Sequence, residues 1–166
     1  MASGIGVALL LFALAETPAP SPSSGLVDVA QVIPDLVLDL RYASRNNFVG
    51  ETLYDAARCL LHVKVAQRLA AAANVLRAHG YRLIAWDCYR PRRVQKRMWE
   101  KFPRRGYVAP PVPGSIHNRG AAIDVSLADL AGRSLRMPTD FDAFGPSANL
   151  GSRAHPAKVL ARRAQL

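Results

Sequence analysis

Apolar residues recur at helical spacing in three segments of this 166-residue chain. Residues 59–79 are rich in alanine and leucine, and Gly80 follows them as a stop signal, so this segment predicts a helix. Pro91 stands where a helix can begin, which predicts a second helix over residues 92–101. Residues 154–166 are a third helix candidate. These segments would supply the helical part of the fold.

Shorter stretches between the helices show the patterns of strands. Residues 35–42 alternate between apolar and polar side chains, residues 81–89 read as a buried strand, and residues 121–127 are a further strand candidate. A turn at 131–133 then predicts a hairpin with residues 134–137. Because helices and strands mix without a regular βαβ repeat, we predict the α+β class in a single domain.

The first 15 residues have the pattern of an export signal. Residues 5–15 form an apolar run that is too short to span a bilayer and ends in the small-x-small form of a cleavage site. An uncleaved anchor or a misplaced start codon is the alternative, because no Lys or Arg precedes the run. We therefore predict a signal peptide at 1–15, a Pro/Ser-rich linker with an N-terminal extension at 16–34, and the folded domain at 35–166. The mature protein would be exported, to the periplasm or the extracellular space, with no stable membrane span.

The composition changes this picture in one respect. Lys and Arg number 22 against 12 Asp and Glu, which gives a formal net charge of +10. A strong positive charge is common in proteins that bind nucleic acid, but here the basic residues are scattered and are not interleaved with aromatic residues. We therefore expect no nucleic-acid partner. Outside the inner membrane, the charge would instead steer the protein towards anionic cell-wall polymers.

The two cysteines, Cys59 and Cys88, admit two states. In an exported chain, an even number of cysteines favours a disulfide. Two buried free thiols are the alternative, since free cysteine is a common core residue. Their spacing matches no zinc-ribbon pattern, so a cysteine-based metal site is not expected.

Candidate metal chemistry is concentrated in residues 114–125, where His117 and Asp124 stand seven positions apart. An imidazole nitrogen and a carboxylate oxygen suit Zn²⁺ with an open coordination position. Asp124 lies within a predicted strand, so a fixed scaffold would hold its side chain. A histidine and an aspartate at this spacing are by themselves a weak signal, because a single histidine is more often structural.

Three motifs in series make the signal specific. They are RYA followed by NFVG at residues 41–50, DCYRP at residues 87–91 and SIHNRGAAID at residues 115–124. In this order they resemble the D-alanyl-D-alanine dipeptidases, the VanX-like zinc peptidases, and MPTDFD at residues 137–142 extends the resemblance. The resemblance implies a small, mainly antiparallel sheet flanked by helices, which is the fold of the zinc D-Ala-D-Ala peptidases and hedgehog-like domains.

The resemblance also implies roles for individual residues. His117 and Asp124 are similar to two of the family's zinc ligands. Arg90 is similar to the arginine beside the zinc, which binds substrate and stabilises charge on the scissile carbonyl through its fixed positive donors. Three further positions are similar to those that hold the ends of the dipeptide: Tyr107, Ser115 and Asp142. The implied activity is hydrolysis of the free dipeptide D-Ala-D-Ala by a Zn²⁺-activated water, in cell-wall metabolism.

In this family the third zinc ligand, a histidine, and the general base, a glutamate, come from a Glu-x-x-His segment near the C-terminus. In the 166 residues the last glutamate is Glu100 and the last histidine is His155. The resemblance therefore predicts a dipeptidase chain truncated before that segment, with weak zinc binding and slow or no turnover. His155 is the alternative third ligand.

Other functions stay open at this point. The same residues could form a non-catalytic binder of D-Ala termini or muropeptides, or the chain could be an inactive fragment. A related zinc carboxypeptidase that acts on longer peptidoglycan stems shares the histidine and aspartate spacing. The motifs at residues 41–50 and 87–91 favour the dipeptidase over the carboxypeptidase.

Overall fold

The computed structural model describes residues 25–166, so the predicted signal peptide lies outside the described residues. The described part of the chain forms three α-helices and five β-strands. The helices are α1 (Val63–Ala78), α2 (Arg92–Lys101) and α3 (Ala157–Arg163). The strands are β1 (Leu26–Asp28), β2 (Val37–Leu38), β3 (Leu60–His62), β4 (Tyr81–Asp87) and β5 (Asp124–Asp129).

The strands form two small sheets. In the three-stranded sheet, β4 is central and pairs with β5 antiparallel and with β2 parallel. The second sheet is the antiparallel pair of β1 and β3. This arrangement, with helices packed against it, confirms the predicted α+β class and the small, mainly antiparallel sheet.

The hydrophobic core lies where α1 covers both sheets. Alanines and leucines make up the buried face of α1, and the small alanine side chains let the helix approach the strands closely. Leu61 of β3, Leu83 of β4 and Leu127 of β5 meet this face and are almost fully buried. Each such leucine contributes about 1.5–3 kcal/mol relative to an exposed side chain. A second apolar cluster lies under α2, around Tyr42 and Met98.

The predicted helix over 59–79 was wrong at its start. Residues 60–62 form β3 instead, because they pair with β1 across the sheet, and α1 begins only at Val63. His62 caps the helix, with its Nδ1 accepting a hydrogen bond from the Lys64 amide at 3.3 Å. At the other end Gly80 follows α1 as predicted, and the helix predicted over 92–101 is confirmed.

Five other predicted elements differ in length or place, two of them because β4 ends at Asp87 rather than residue 89 and α3 spans only Ala157–Arg163 of the helix predicted at 154–166. Only Val37 and Leu38 of the strand predicted at 35–42 pair with a neighbour, and residues 41–43 turn into a 3₁₀ helix. The strand predicted at 121–127 begins and ends later, as β5. The expected hairpin partner at 134–137 makes a single bridge, between Ser134 and Ala128.

The folded domain begins before residue 35, where the sequence analysis placed its boundary. Residues 26–28 form β1, and Val29 and Ile33 are buried in the main core. The boundary was misplaced because the Pro/Ser-rich composition ends some residues before the predicted strand, and the short β1 has no local signal. None of the helices in residues 25–166 combines the length and the apolar character that a membrane span needs.

Gly120 is a position where only glycine fits. Its φ is +63°, and an added Cβ would lie 2.4 Å from Leu26 Cδ2 and 3.0 Å from the His62 amide nitrogen. We expect Gly120→Ala to lower the free energy of unfolding by about 2–4 kcal/mol, from left-handed backbone strain and overpacking together. Urea unfolding followed by circular dichroism measures this loss.

Gly50 provides the matched control. Its φ is +72°, but no atom would lie within 4 Å of an added Cβ. Gly50→Ala should therefore lose only the backbone term, about 1–2 kcal/mol. Equal losses in the two variants would contradict the close approach of β1 to Gly120.

Candidate metal centre

His117 lies on a short 3₁₀ turn, Ile116–Arg119, that its own sequence builds. Ser115 caps the turn by accepting a hydrogen bond from the His117 amide at 3.3 Å, and Asn118 Oδ1 accepts one from the Ser115 amide at 2.7 Å. Gly120 ends the turn in a left-handed conformation. This reciprocal capping is the standard way to satisfy the free amides of a helix start, so the turn is fixed locally.

The turn is also fastened to the segment that follows β4. The Arg90 amide donates to the His117 carbonyl at 3.0 Å, and Asn118 Nδ2 donates to the Arg90 carbonyl at 2.7 Å. The strand register completes the site, because Asp87 at the end of β4 pairs with Asp124 at the start of β5. Two carboxylates and one imidazole are therefore brought to one edge of the sheet.

The His117 ring is oriented by a hydrogen bond that leaves one nitrogen available. Nδ1 lies 2.9 Å from the Cys88 carbonyl oxygen, which can only accept a hydrogen bond, so Nδ1 carries the proton. Nε2 then presents its lone pair and lies 3.6 Å from Asp124 Oδ1. Two atoms bound tetrahedrally to one zinc at about 2.0–2.1 Å would be separated by about 3.3–3.4 Å. The observed separation fits a shared metal ion with little movement.

Protonation of His117 competes with metal binding. Burial lowers the pKa of the imidazole, but the nearby carboxylates of Asp124 and Asp87 outweigh burial, so the pKa is raised overall. A raised pKa means that more of the histidine is protonated near neutral pH. Because a metal binds only the neutral imidazole, the affinity of this group for a metal would fall as the pH decreases.

Asp87 lies in the same cluster, since ligand atoms of Asp87, His117 and Asp124 are all within 4.8 Å of one another. Its side chain is fully buried and its oxygens are already occupied. Oδ2 accepts from Arg90 Nε at 3.0 Å and Nη2 at 2.5 Å, and Oδ1 accepts from the Tyr54 hydroxyl and the Cys88 amide. Asp87 therefore orients its neighbours, including the His117 ring 3.3 Å away, while Asp124 and His117 are left as the ligand pair.

Arg90 forms the wall of the site and is only 8 % exposed. Three of its five N–H groups donate, two to Asp87 and one, on Nη1, to Gln95 Oε1 at 2.9 Å. Its guanidinium also lies 5.2 Å from the centre of the Tyr42 ring. Burial alone lowers the pKa of Arg90, but the charge of Asp87 and its tyrosine neighbours raises it overall, so the side chain stays cationic.

Asp142 joins the site from the far end of the chain. Its Oδ2 accepts a hydrogen bond from the Tyr42 hydroxyl at 2.5 Å. Burial, and to a smaller extent the charges of Asp124 and Asp87, raise the pKa of Asp142 to about 6 against the opposing effects of Tyr42 and Arg90. At neutral pH the group is therefore mostly an anion, close to the ligand pair and partly desolvated.

The remaining predicted site residues take other positions. Ser115 caps the His117 turn, as described above. Tyr107 is 48 % exposed, and its ring packs on Phe144 at 4.9 Å between centroids. His155 Nε2 lies 2.9 Å from the Ser147 carbonyl oxygen, and among residues 25–166 it is not part of the metal-ligand cluster. Ser115 thus supports His117 directly through its hydrogen bond to the His117 amide.

Four residues that shape the site were not predicted from the sequence: Tyr54, Asp87, Gln95 and Asn118. Asp87 and Asn118 lie inside the motifs at 87–91 and 115–124, so position in a motif was an available signal. Tyr54 and Gln95 carry no such signal, because their roles depend on contacts between distant segments. The two cysteines, whose state was left open, form a disulfide between Cys59 and Cys88.

Comparison with known proteins agrees with the resemblance of the motifs. A family model described as "D-ala-D-ala dipeptidase" matches residues 22–159. A D-alanyl-D-alanine dipeptidase of Escherichia coli K12 is 39 % identical over 122 residues, which are 74 % of this chain and 63 % of the relative. A protein of the same name from Enterococcus faecium is 28 % identical over 71 % of this chain and 69 % of its own length. A third, from Streptomyces coelicolor, is 27 % identical over 83 % of this chain and 79 % of its own length.

The chain therefore belongs to the D-Ala-D-Ala dipeptidase family, in which the matched relatives are named as peptidases. It spans a little under two thirds of the length of the E. coli relative.

The raised pKa of Asp142 makes a prediction about stability. The pKa is about 6 in the folded chain against an ordinary value of 3.8, so the folded state binds this proton more tightly than the unfolded state. Stability from this group is present below about pH 4 and is lost as the pH rises through 6. Asp142→Asn cannot ionise, and its φ of +52° suits asparagine. We expect the variant to be more stable than the parent at pH 8, by up to about 3 kcal/mol, and equal near pH 4.

Urea unfolding at pH 4, 6 and 8 tests this expectation. Asp140→Asn is the matched control, since the Asp140 side chain is 71 % exposed and lies two residues away. Its effect on stability should be small and nearly the same at pH 6 and pH 8. A destabilised Asp142→Asn variant at pH 8 would contradict the burial of an anion at this site.

Proposed function

We propose that this protein hydrolyses the dipeptide D-Ala-D-Ala at a zinc site that includes His117 and Asp124. One observation carries the proposal: His117 Nε2 lies 3.6 Å from Asp124 Oδ1 while its Nδ1 is held by a carbonyl acceptor. That geometry presents two ligand atoms to one ion. The family membership and the names of the relatives support the same activity.

The donor set present fits zinc. One neutral imidazole nitrogen and one partly exposed carboxylate converge, while the other carboxylate of the cluster, Asp87, already accepts hydrogen bonds at both oxygens. Zinc held by such ligands supplies a Lewis acid that polarises a carbonyl and activates a water molecule. His117 and Asp124 would hold the ion, and Asp87 would keep the imidazole in the ligating orientation.

Arg90 and Asp142 would bind the dipeptide itself. Arg90 keeps two N–H groups beyond those given to Asp87 and Gln95, and these can donate to the scissile carbonyl oxygen as negative charge develops there. Asp142 is a partly buried anion beside the ligand pair, which suits the free ammonium of the substrate. An anion at this place would select a free dipeptide over an N-blocked chain.

We further propose that the protein works outside the cytoplasm, in the periplasm or the extracellular space. The disulfide between Cys59 and Cys88 supports this location, because disulfides persist in oxidising compartments. The apolar run at residues 5–15 supports it as an export signal.

The test is a zinc titration of the chain from residue 16 onward, together with an assay for alanine released from D-Ala-D-Ala. With two protein ligands among the described residues, we expect one zinc to bind weakly and alanine release to be slow and zinc-dependent. His117→Ala should abolish both, because it removes the imidazole ligand. Asp124→Asn should lower the zinc affinity, because a neutral amide is a poorer ligand than a carboxylate.

His155→Ala is the matched control, since His155 contacts the Ser147 carbonyl and lies outside the ligand cluster. It should leave zinc binding and alanine release unchanged. Saturable binding of the dipeptide with no alanine release, even in excess zinc, would replace the hydrolase proposal with a non-catalytic binder. Zinc binding that survives His117→Ala would overturn the proposed site.

A further inference from the structure

The Cys59–Cys88 disulfide occupies a particular place in the fold. Cys59 immediately precedes β3 of the two-stranded sheet, and Cys88 immediately follows β4 of the three-stranded sheet. Among residues 25–166, no strand pairing joins these two sheets. Both cysteines are almost completely buried, at 0 % and 1 % exposure. The disulfide is therefore a covalent link across the junction of the two sheets.

The peptide groups of Cys88 contact His117 and its neighbour Asp87 directly. The Cys88 carbonyl accepts the hydrogen bond from His117 Nδ1 at 2.9 Å, and the Cys88 amide donates to Asp87 Oδ1 at 2.9 Å. The next amide, that of Tyr89, donates to the Leu60 carbonyl beside Cys59 at 2.9 Å. The disulfide thus restrains the one residue whose carbonyl orients the His117 ring.

From this arrangement we propose that the Cys59–Cys88 disulfide is a positioning element for the metal site. It holds the Cys88 carbonyl where that carbonyl keeps the proton of His117 on Nδ1 and leaves Nε2 free to ligate. The inference rests on the proposed function for its link to zinc, while the position of the proton is a property of the metal-free protein.

The geometry gives His117 two competing arrangements. With the proton on Nδ1, the ring donates to the Cys88 carbonyl, and Nε2 is free. With the proton on Nε2, the ring can donate to Asp124 Oδ1, 3.6 Å away, and the ligating nitrogen is blocked. A shift of the Cys88 carbonyl by about 0.6 Å would take the first hydrogen bond from 2.9 Å to the limit of such bonds. Asp87 Oδ2 also lies 3.3 Å from Nδ1, and restraint of the closer Cys88 carbonyl therefore adds to the preference for the first arrangement.

The test removes the cross-link and follows the His117 ring by ¹⁵N NMR in the metal-free protein at pH 8.5. In the parent protein we expect the proton to lie mainly on Nδ1. In Cys59→Ala with Cys88→Ala the carbonyl remains but its restraint is lost, so a mixture of both arrangements should appear. His117→Ala identifies the signal. Competition with a chelator of known zinc affinity should show that the double cysteine variant binds zinc about 10- to 100-fold more weakly than the parent. The loss of a contact that orients a metal ligand usually has an effect of this size.

Leu76→Ala is the matched control for a general loss of stability. Leu76 is buried in the same core on α1, and none of its hydrogen bonds reaches the site. In the Leu76→Ala variant the midpoint of thermal unfolding should fall, while the His117 proton stays on Nδ1 and the zinc affinity is unchanged. If the double cysteine variant does not fold, Cys59→Val with Cys88→Ala restores core volume and serves in its place.

The outcomes separate the two proposals. If the cysteine variant keeps the proton on Nδ1 and the parental zinc affinity, and loses only stability as Leu76→Ala does, the disulfide is a structural cross-link and the inference is wrong. If the parent protein binds no zinc but the proton still redistributes in the cysteine variant, the inference about positioning stands and the proposed function fails.

Discussion

The buried ion pair of Asp87 and Arg90 is the interaction around which the site is arranged. Both side chains are out of water, so each needs the other, and a buried charge left without its partner costs about 3–5 kcal/mol. Both oxygens of Asp87 accept hydrogen bonds, and three N–H groups of Arg90 donate them, to each other and to neighbouring side chains. These bonds fix the positions of the surrounding donors and acceptors. His117 takes its orientation beside this pair, because its Nδ1 lies 3.3 Å from the same Asp87 oxygen that Arg90 binds.

Two tyrosines extend the pair into the second core cluster. Burial, together with the neighbouring aspartates, raises the pKa of Tyr42 and of Tyr54, so both hydroxyls remain donors at physiological pH. Tyr54 donates to Asp87 and Tyr42 donates to Asp142, while the Tyr42 ring faces the Arg90 guanidinium. The same tyrosines therefore pack in the apolar cluster under α2 and donate hydrogen bonds to the Asp87 and Asp142 carboxylates of the site.

The sequence alone predicts the parts of the site that share a motif. His117, Asp124 and Arg90 were predicted because three motifs in series resemble one family, and Asp142 because a shorter motif extends the same resemblance. Asp87 was missed as an orienting group, since its contact with His117 exists only once β4 and β5 are in register.

Secondary structure was predicted best where the sequence marks the ends of an element. The helix at 92–101 has clear ends, whereas the three residues of β3 carry the same apolar spacing as α1, which follows them. Only pairing with β1 makes them a strand, and that contact comes from tertiary structure. Tyr107 was predicted as a substrate-binding residue from the family resemblance alone. In the structure its ring packs on Phe144.

The pairing of β4 with β5 and of β1 with β3 joins residues about 30 to 50 positions apart. Contacts of that separation form late in folding, because the chain must first lose the entropy of long loops. Asp87, Cys88 and His117 meet only across such contacts. A nascent or partly folded chain therefore holds His117 without its orienting groups, so metal capture at the proposed site would follow folding rather than guide it.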